Sequence, residues 1–262
     1  MTVTDLPHDV LWPPPTRSEF LGMPFDRVTF ADVLASMSAR RPGQPLRYVV
    51  TPNVDHVVKL SRERKLAFIY DDAWLCLCDS KPIWAMSRYL RGDFGHVTGS
   101  DLTARMFGSV LRPGDEVALV AGSEEIAKGM ANRYPDLRFR IHVPPAGIAA
   151  NRDALEACVD FLAAQQSRFA FIAIGAPQSE FIAHAWSRRP GATGTALCVG
   201  ASLEFMLDLK QRAPQWMRGL GLEWLHRLVS EPRRLWRRYV LAVVPLAVLV
   251  LTDIRRSITQ RA

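Results

Sequence analysis

The chain lacks the features that identify secreted and disulfide-stabilised proteins. Its 262 residues include four cysteines, and no two of them form a Cys-x-x-Cys pair. Three of the four lie in apolar runs typical of buried strands, so we predict buried, reduced thiols and a reducing cytosol. Met1–Asp9 carries two acids and no apolar core, so no secretory signal peptide is expected.

Motifs for the common cofactors and metals are missing as well. Neither a Walker A sequence nor Gly-x-Gly-x-x-Gly follows a predicted strand, which argues against the usual NTPases and dinucleotide-dependent oxidoreductases. There is no Asp-x-Asp pair, the metal–nucleotide motif of many sugar-nucleotide transferases, and the histidines have no ligand spacing. Ser202 lacks a Gly-x-Ser-x-Gly setting, so a hydrolase is not expected. We therefore predict no metal and no cofactor.

The hydrophobic runs are short. The apolar segment Val240–Leu251 has about 12 residues, roughly 18 Å of helix, against roughly 30 Å of bilayer hydrocarbon. Pro245 lies inside it and disfavours a straight helix. We predict a bent or interfacial element rather than a transmembrane helix.

Charge is concentrated at one end of the chain. Lys210–Ala262 holds 11 of the 33 lysines and arginines but three of the 26 acids, so the preceding body is close to neutral. A neutral body followed by a basic, tryptophan-bearing and then apolar tail predicts peripheral contact with an anionic membrane. The alternative is a solvated basic helix followed by a buried core helix. Because tryptophans and leucines alternate with the charges, nucleic acid is not an expected partner.

Apolar runs alternate with amphipathic stretches from Leu46 onward. The predicted strands are Leu46–Val50, Trp74–Cys78, Val117–Ala121, Arg138–Val143, Phe169–Ile174 and Ala196–Val199. The predicted helices are Val54–Tyr70, Pro82–Leu90, Ser100–Leu111, Glu124–Arg133, Asp153–Ser167 and Gln178–Trp186. This alternation predicts an α/β fold with a parallel sheet covered on both faces. We divide the chain into an arm at 1–18, a catalytic core at 19–209 and a basic appendage at 210–262.

Small and polar residues follow five of the predicted strands. They are Thr51-Pro52-Asn53, Asp79-Ser80, Gly122-Ser123, Gly175-Ala176-Pro177-Gln178 and Gly200-Ala201-Ser202. In open α/β sheets the ligand lies beyond the carboxyl ends of the strands, and helix N-termini there suit phosphate groups. The pattern predicts a nucleotide-type site at this edge.

Asp79 is the main candidate for a catalytic group. It ends an apolar strand, which directs its carboxylate toward the predicted crevice, where partial burial can adjust its pKa for a general base. The alternative is an N-cap for the helix that opens at Pro82.

Several segments together resemble one known family. They are Thr51–Asn53, Asp79, Val97–Leu102 (VTGSDL), Gly175–Ile182 (GAPQSEFI), Val199–Met206 (VGASLEFM), the block Lys210–Tyr239, and FLGMPFDRVTFADVL from Phe20, which is similar to the family's opening strands and first helix. The chain resembles the WecG/TagA/CpsF glycosyltransferases (glycosyltransferase family 26) over about Phe20–Tyr239. On this comparison Val240–Ala262 is an extension beyond the family.

The resemblance implies a fold, a reaction and a location. The fold would be a Rossmann-like α/β core with a C-terminal appendage that touches the membrane. The reaction would be an inverting, metal-independent transfer of a sugar from a UDP-linked donor to a polyprenyl-diphosphate-linked saccharide. It would take place peripherally, at the cytoplasmic face of the inner membrane, in bacterial cell-surface polysaccharide biosynthesis.

The resemblance also implies roles for individual residues. Asp79 matches the family's proposed catalytic base. The expected substrate-binding residues are Thr51, Asn53, His96, Thr98, Gly99, Asp101, Gly175, Gln178, Gly200 and Ser202. The expected diphosphate-facing residues are Arg212, Arg218, Arg227, Arg233 and Arg234. We expect Asn53 and Gln178 to contact substrate hydroxyls rather than to support the fold.

Two positions depart from the family pattern. Ser80 stands where the family commonly has glycine after the catalytic aspartate, and His96 stands where many members have arginine. Both positions lie near the donor sugar that the resemblance implies. The alternative function is a non-catalytic peripheral membrane protein that binds nucleotide-sugar or anionic lipid.

Overall fold

The protein folds around one parallel sheet. The computed structural model describes residues 16–90 and 92–259. The strands are β1 Arg17–Phe20, β2 Met23–Asp26, β3 Arg47–Val50, β4 Leu75–Cys76, β5 Glu116–Ala121, β6 Arg138–His142, β7 Phe169–Ala173 and β8 Thr195–Cys198. The core helices are α1 Phe30–Ala39, α2 Val54–Arg62, α3 Ala67–Asp71, α4 Lys81–Tyr89, α5 Gly99–Arg105, α6 Glu124–Arg133, α7 Arg152–Ala163, α8 Gln178–Ser187 and α9 Ser202–Met206. The appendage helices are α10 Gln215–Leu220, α11 Glu223–Ser230 and α12 Pro232–Thr259.

The sheet has six strands in the order β4-β3-β8-β7-β5-β6, and every pairing in it is parallel. Successive residues of a strand face opposite sides, so Val50 packs in one apolar cluster and Val49 in the other. Helices α2, α7 and α8 cover one face, and α1, α5, α6 and α9 cover the other. The predicted Rossmann-like α/β fold is confirmed.

An antiparallel hairpin precedes this sheet. Strands β1 and β2 pair from Arg17 with Asp26 to Phe20 with Met23. Asp26 is buried, accepts the backbone N–H of Cys76 at 2.6 Å and pairs with Arg17 at 3.0 Å, which holds the hairpin against β4. Strand β1 therefore includes Arg17 and Ser18, which the sequence division placed in the arm. Residues 1–15 of that arm lie outside the described chain.

The predicted single helix Val54–Tyr70 is wrong. Glu63 has φ −127° and ψ 68°, which ends α2, and a short 3₁₀ turn at Arg64–Leu66 leads into α3. The break turns Leu66 and Ile69 into the apolar cluster, and the Tyr48 hydroxyl donates a hydrogen bond to the Ile69 carbonyl at 2.7 Å. Burial of both residues outweighs the helical continuity that their spacing predicts.

The apolar segment Val240–Leu251 lies within α12, which continues through Pro245. One side of the helix packs on the core through Leu246, Leu249 and Val250. On this side the backbone N–H of Leu21 donates to an Asp253 carboxylate oxygen at 2.6 Å. In the described chain, no helix combines the length and the apolarity that crossing a membrane requires.

The other side of α12 is open. Val240, Leu241, Val248 and Leu251 are each more than half exposed. At 100° per residue these four positions fall within about 100° of one another around the helix. Thus α12 has two apolar sides, and one of them packs against the core.

Candidate functional site

Asp79 lies at the carboxyl edge of the sheet, three residues after the end of β4. Its backbone N–H donates to the Pro52 carbonyl at 3.0 Å, which joins it to the loop after β3. Next to it, the Val97 N–H donates to the Cys78 carbonyl at 3.0 Å, which brings His96 beside β4. The N-cap of α4 is Ser80, whose side chain accepts the Ile83 N–H. Asp79 is therefore not the cap of that helix, which leaves its carboxylate for another role.

The carboxyl group of Asp79 is hard to ionise. Burial raises its pKa from 3.8 to about 8, and the negative charges of Glu223 and Asp101 act in the same direction. The positive charges of Arg227 and Arg212 oppose this rise. A group whose pKa is near 8 can both take up and release a proton near neutral pH, which suits a general base.

The start of α5 supplies a second carboxylate. Thr98 caps the helix by accepting the Asp101 N–H at 3.0 Å, and its hydroxyl donates to the Asp101 side chain at 2.8 Å. Arg212 lies 2.8 Å and Arg218 3.8 Å from the same carboxylate. Burial acts to raise the pKa of Asp101, but the Thr98 hydrogen bond and the arginine charges together hold that pKa below its ordinary value. Asp101 is thus an anion that anchors the appendage.

Three appendage arginines bring unused donors to this site. The Nε atoms of Arg212, Arg218 and Arg227 are buried and have no hydrogen-bond partner among the described residues. Arg227 also pairs with Glu223 at 3.3 Å and stacks over the Phe205 ring at 5.1 Å. Because buried donors are normally satisfied, these three guanidinium donors are available to an acceptor other than the described residues. Guanidinium groups pair well with phosphate oxygens, as they do with carboxylates.

A tight hydroxyl cluster lies under the start of α5. A Cβ built on Gly99 would lie 2.9 Å from the Thr51 hydroxyl and 3.5 Å from the Ser202 hydroxyl, so only glycine fits there. The Ser202 hydroxyl donates to the Val199 carbonyl at 2.6 Å and lies 3.4 Å from the Ser100 hydroxyl. The cluster joins the ends of β3 and β8 to α5.

Asn53 caps α2, and its side chain contacts His56, which in turn contacts Glu180. Its side-chain oxygen accepts the Asp55 N–H at 3.0 Å and lies 2.9 Å from His56 Nδ1. The other ring nitrogen of His56 lies 3.4 Å from Glu180 Oε1, and Glu180 is buried. The expectation that Asn53 does not support the fold is wrong, because its side chain makes the helix cap.

Gln178 is the first residue of α8, immediately after the loop that follows β7. This loop contains Gly175, which has φ +84°, and a cis bond between Ala176 and Pro177. Gly200, with φ +52°, occupies the corresponding place after β8. These positions lie along the same edge of the sheet as Asn53, as the sequence predicted.

His96 lies between aromatic and charged neighbours. Its ring centroid is 6.1 Å from that of Trp84. Burial lowers the pKa of His96, and the charge of Lys81 lowers it further, while Asp101 and Glu223 act in the opposite direction. A neutral imidazole at this place can accept as well as donate a hydrogen bond.

The remaining predicted arginines are placed differently. Arg233 is exposed on α12, and no contact among the described residues joins it to the other three arginines. The side chain of Arg234 lies outside the described part of the chain. The diphosphate role expected for these two stays a prediction without structural support.

Sequence reasoning missed two charged residues of the site. Lys81 donates to the Gly219 carbonyl and so ties α4 to the appendage, and Glu223 acts electrostatically on both Asp79 and His96. The placement of Glu223 one turn before Arg227 was a signal for an ion pair, but not for its position beside Asp79. In the described chain, no three His, Cys, Asp or Glu side chains are grouped so as to hold a metal ion.

A carboxylate at a strand end faces a cluster of arginines across one edge of a Rossmann-like sheet, as in a transferase that acts on a phosphorylated donor. The family model described as "Glycosyl transferase WecG/TagA/CpsF family" matches residues 18–260. The chain belongs to this family of glycosyltransferases, which functions in cell-surface polysaccharide synthesis. The match continues past Tyr239, so the expectation that Val240–Ala262 is an extension beyond the family is wrong.

Proposed function

We propose that the protein is an inverting, metal-independent glycosyltransferase with Asp79 as its general base. It takes a sugar from a UDP-linked donor and passes it to a polyprenyl-diphosphate-linked saccharide at the cytoplasmic face of the bacterial inner membrane. The observation that carries the proposal is the half-buried Asp79 carboxyl group, on which the charges of Arg227 and Arg212 act. It lies in a site where Arg212, Arg218 and Arg227 have buried Nε donors with no partner among the described residues.

The chemical step follows from these two groups. An acceptor hydroxyl attacks the anomeric carbon of the donor, and its proton passes to the ionised Asp79. The bond between the anomeric carbon and the phosphate oxygen breaks, and its electron pair leaves with UDP. A single in-line displacement of this kind inverts the anomeric configuration.

The leaving diphosphate needs positive charge as the bond breaks. Arg212, Arg218 and Arg227 supply fixed cations at the site, and phosphate oxygens would satisfy their buried Nε donors. In this proposal the guanidinium groups have the role that a divalent metal ion has in other sugar-nucleotide transferases.

The appendage has surfaces suited to a membrane. Trp216, Trp224 and Trp236 are exposed, as is the apolar stripe of α12 defined by Val240, Leu241, Val248 and Leu251. Tryptophan favours the membrane–water interface, and the many arginines of this region attract anionic lipid. Membrane contact through this surface would bring the site to a lipid-linked acceptor.

Incubation of the purified protein with a panel of UDP-sugars and a short-chain lipid-diphosphate-sugar acceptor, read by mass spectrometry, tests the proposal. We expect one donor to add one sugar with inversion, at a rate that excess EDTA leaves unchanged. Loss of activity with EDTA that Mg²⁺ or Mn²⁺ restores would contradict metal independence. Tight UDP binding without turnover of any donor would favour a non-catalytic binding protein.

A further inference from the structure

A cavity of about 420 Å³, lined by both polar and apolar groups, lies beside the catalytic edge and is not explained by the arginine cluster. It opens between α2, the loop after β7 and the long appendage helix α12. Its lining includes Asp55, His56, Lys59, Arg62, Glu63 and Leu241. Its volume falls in the range of pockets that bind small ligands.

The walls of this cavity are tied to one another. Lys59 donates to the Ala176 carbonyl at 3.5 Å, which joins α2 to the loop after β7. Arg62 donates to the Leu241 carbonyl at 2.7 Å, which joins α2 to α12. Core and appendage therefore build the cavity together, and each cation on α2 fixes a different wall.

A short chain of contacts connects the cavity to Asp79. The Asp79 N–H bonds to Pro52, the next residue is Asn53, and the Asn53 side chain lies 2.9 Å from the cavity residue His56. His56 is held from its other nitrogen by Glu180 at 3.4 Å. A ligand in the cavity would therefore contact His56, which Asn53 joins to the loop that binds the backbone N–H of Asp79.

The lining favours a neutral ligand with many hydroxyl groups. Two carboxylates, Asp55 and Glu63, balance two cations, Lys59 and Arg62, so the formal charges of these four side chains cancel. Each sugar hydroxyl both donates and accepts a hydrogen bond, and carboxylates, cations and an imidazole together match such groups. A phosphate site would instead be cationic, as the arginine cluster is.

We infer that this cavity is the site of the acceptor saccharide, with the donor diphosphate held at the arginine cluster. The inference rests on the proposed function. Leu241 lines the cavity and also belongs to the exposed apolar stripe of α12. A saccharide in the cavity would thus have its lipid directed toward the surface that we assign to the membrane.

Binding of free glycosides tests the inference without relying on catalysis. The probes are 4-nitrophenyl α- and β-glycosides of common hexoses and N-acetylhexosamines, titrated into the full-length protein and followed by saturation-transfer NMR. The variant is D55N together with E63Q, which keeps the size of both side chains and removes both charged acceptors. We expect at least one glycoside to bind, and the double variant to bind it about tenfold or more weakly.

Glu125→Gln is the matched control, because Glu125 is also an acid in the first turn of a helix but lies on α6, on the other face of the sheet. It should bind the same glycoside as the unchanged protein does. Inorganic pyrophosphate and UDP should not displace the glycoside. Displacement by pyrophosphate would overturn the inference in favour of an anion site, and the absence of any glycoside binding that depends on Asp55 and Glu63 would overturn it as well.

UDP affinity, measured on the same samples, separates this inference from the proposed function. We expect D55N with E63Q to bind UDP as the unchanged protein does. If UDP binds but no glycoside depends on the cavity, only the acceptor site is wrong. If UDP does not bind to any of the samples, the proposed function itself fails.

Discussion

The core contributes the carboxyl groups of Asp79 and Asp101 to the site and the appendage contributes three arginines, and the two regions are held in place by different forces. The core sets Asp79 and Asp101 at the ends of buried strands and helix starts, where apolar packing fixes the backbone. The appendage brings Arg212, Arg218 and Arg227, yet within its described part no residue of α10 or α11 is buried. Contacts of their arginines with Asp101 and Phe205 therefore contribute to holding these two helices against the core.

This difference has a consequence for ligand binding. Segments with few buried apolar contacts belong to the least stable parts of a protein, and ligands that bind them add stability. A diphosphate that satisfies the three buried Nε donors would link α10 and α11 more firmly to the core. Donor binding would then stabilise the positions of α10 and α11 against the core, whereas α12 packs on the core without it.

The largest expected effect comes from replacing Asp79, the proton acceptor that we propose. D79N keeps size and polarity but cannot accept a proton, so we expect the transfer rate to fall about 10²–10⁴-fold. Steady-state assay of the transfer reaction measures this. Asp136→Asn, at an exposed position between β5 and β6, is the control and should keep the full rate. A D79N variant that turns over normally would remove Asp79 from the mechanism.

D79N, which lowers the transfer rate, should raise the stability of the folded protein at high pH. The pKa of Asp79 is about 8 in the folded protein and near 3.8 when unfolded, so the folded state holds the proton more tightly. Its contribution is fully present below about pH 4 and is lost as the pH rises through 8. At pH 9 we expect D79N to be more stable than the unchanged protein, by an amount on the order of 1–3 kcal/mol after allowance for partial exposure. Urea unfolding at pH 4 and pH 9 checks the sign.

The two sides of α12 should respond differently to substitution. Val248→Ser with Leu251→Ser removes apolar groups from the exposed stripe, so we expect about tenfold weaker binding to anionic vesicles with little change in melting temperature. Leu246→Ala on the core side should cost about 1–2 kcal/mol of folding stability and leave vesicle binding nearly intact. Equal vesicle binding by all three proteins would show that α12 does not touch the membrane.

Charges of the appendage should shift the pH dependence of the core's base. The rate is expected to rise with pH through about 8, because only ionised Asp79 accepts a proton. Glu223→Gln removes a negative charge that raises this pKa, so its profile should move to lower pH and its rate at pH 7 should rise about threefold. R227Q should move the profile the other way. Identical profiles for the three proteins would mean that α11 does not lie beside Asp79.

The smallest effect concerns Asn53, which has two assigned roles. N53A removes the cap of α2 and should cost about 1 kcal/mol of stability. Asn53→Ser retains a capping oxygen but loses the amide, so it should keep the melting temperature and lose activity if Asn53 also binds substrate. Full activity in Asn53→Ser would leave only the capping role.

The core was predictable from sequence because its signals are local. Alternating apolar and amphipathic segments identified the six sheet strands, and a residue such as Asp79 after an apolar run could be placed at their carboxyl edge. The break at Glu63 was not visible, since it depends on burial of Leu66 and Ile69 by distant parts of the chain. Local periodicity carries no information about such contacts.

The appendage was predictable in composition but not in arrangement. Its charge indicated arginines for an anionic ligand, yet nothing in the sequence separated Arg212 and Arg227, which reach the site, from the exposed Arg233. That selection depends on how α10 and α11 lie across α5 and α9, where Asp101 and Phe205 provide the contacts. The cavity between α2 and α12 could not be predicted either, because it also depends on how the appendage packs against the core.

Calorimetric titration with UDP tests most directly whether core and appendage form one donor site. We expect the unchanged protein and Arg233→Gln to bind UDP equally, and Arg212→Gln with Arg227→Gln to bind it about 100-fold more weakly, since each replaced arginine loses a charge-assisted hydrogen bond. Equal UDP affinity in all three proteins would contradict the account, because Arg212 and Arg227 would then have no part in holding the diphosphate.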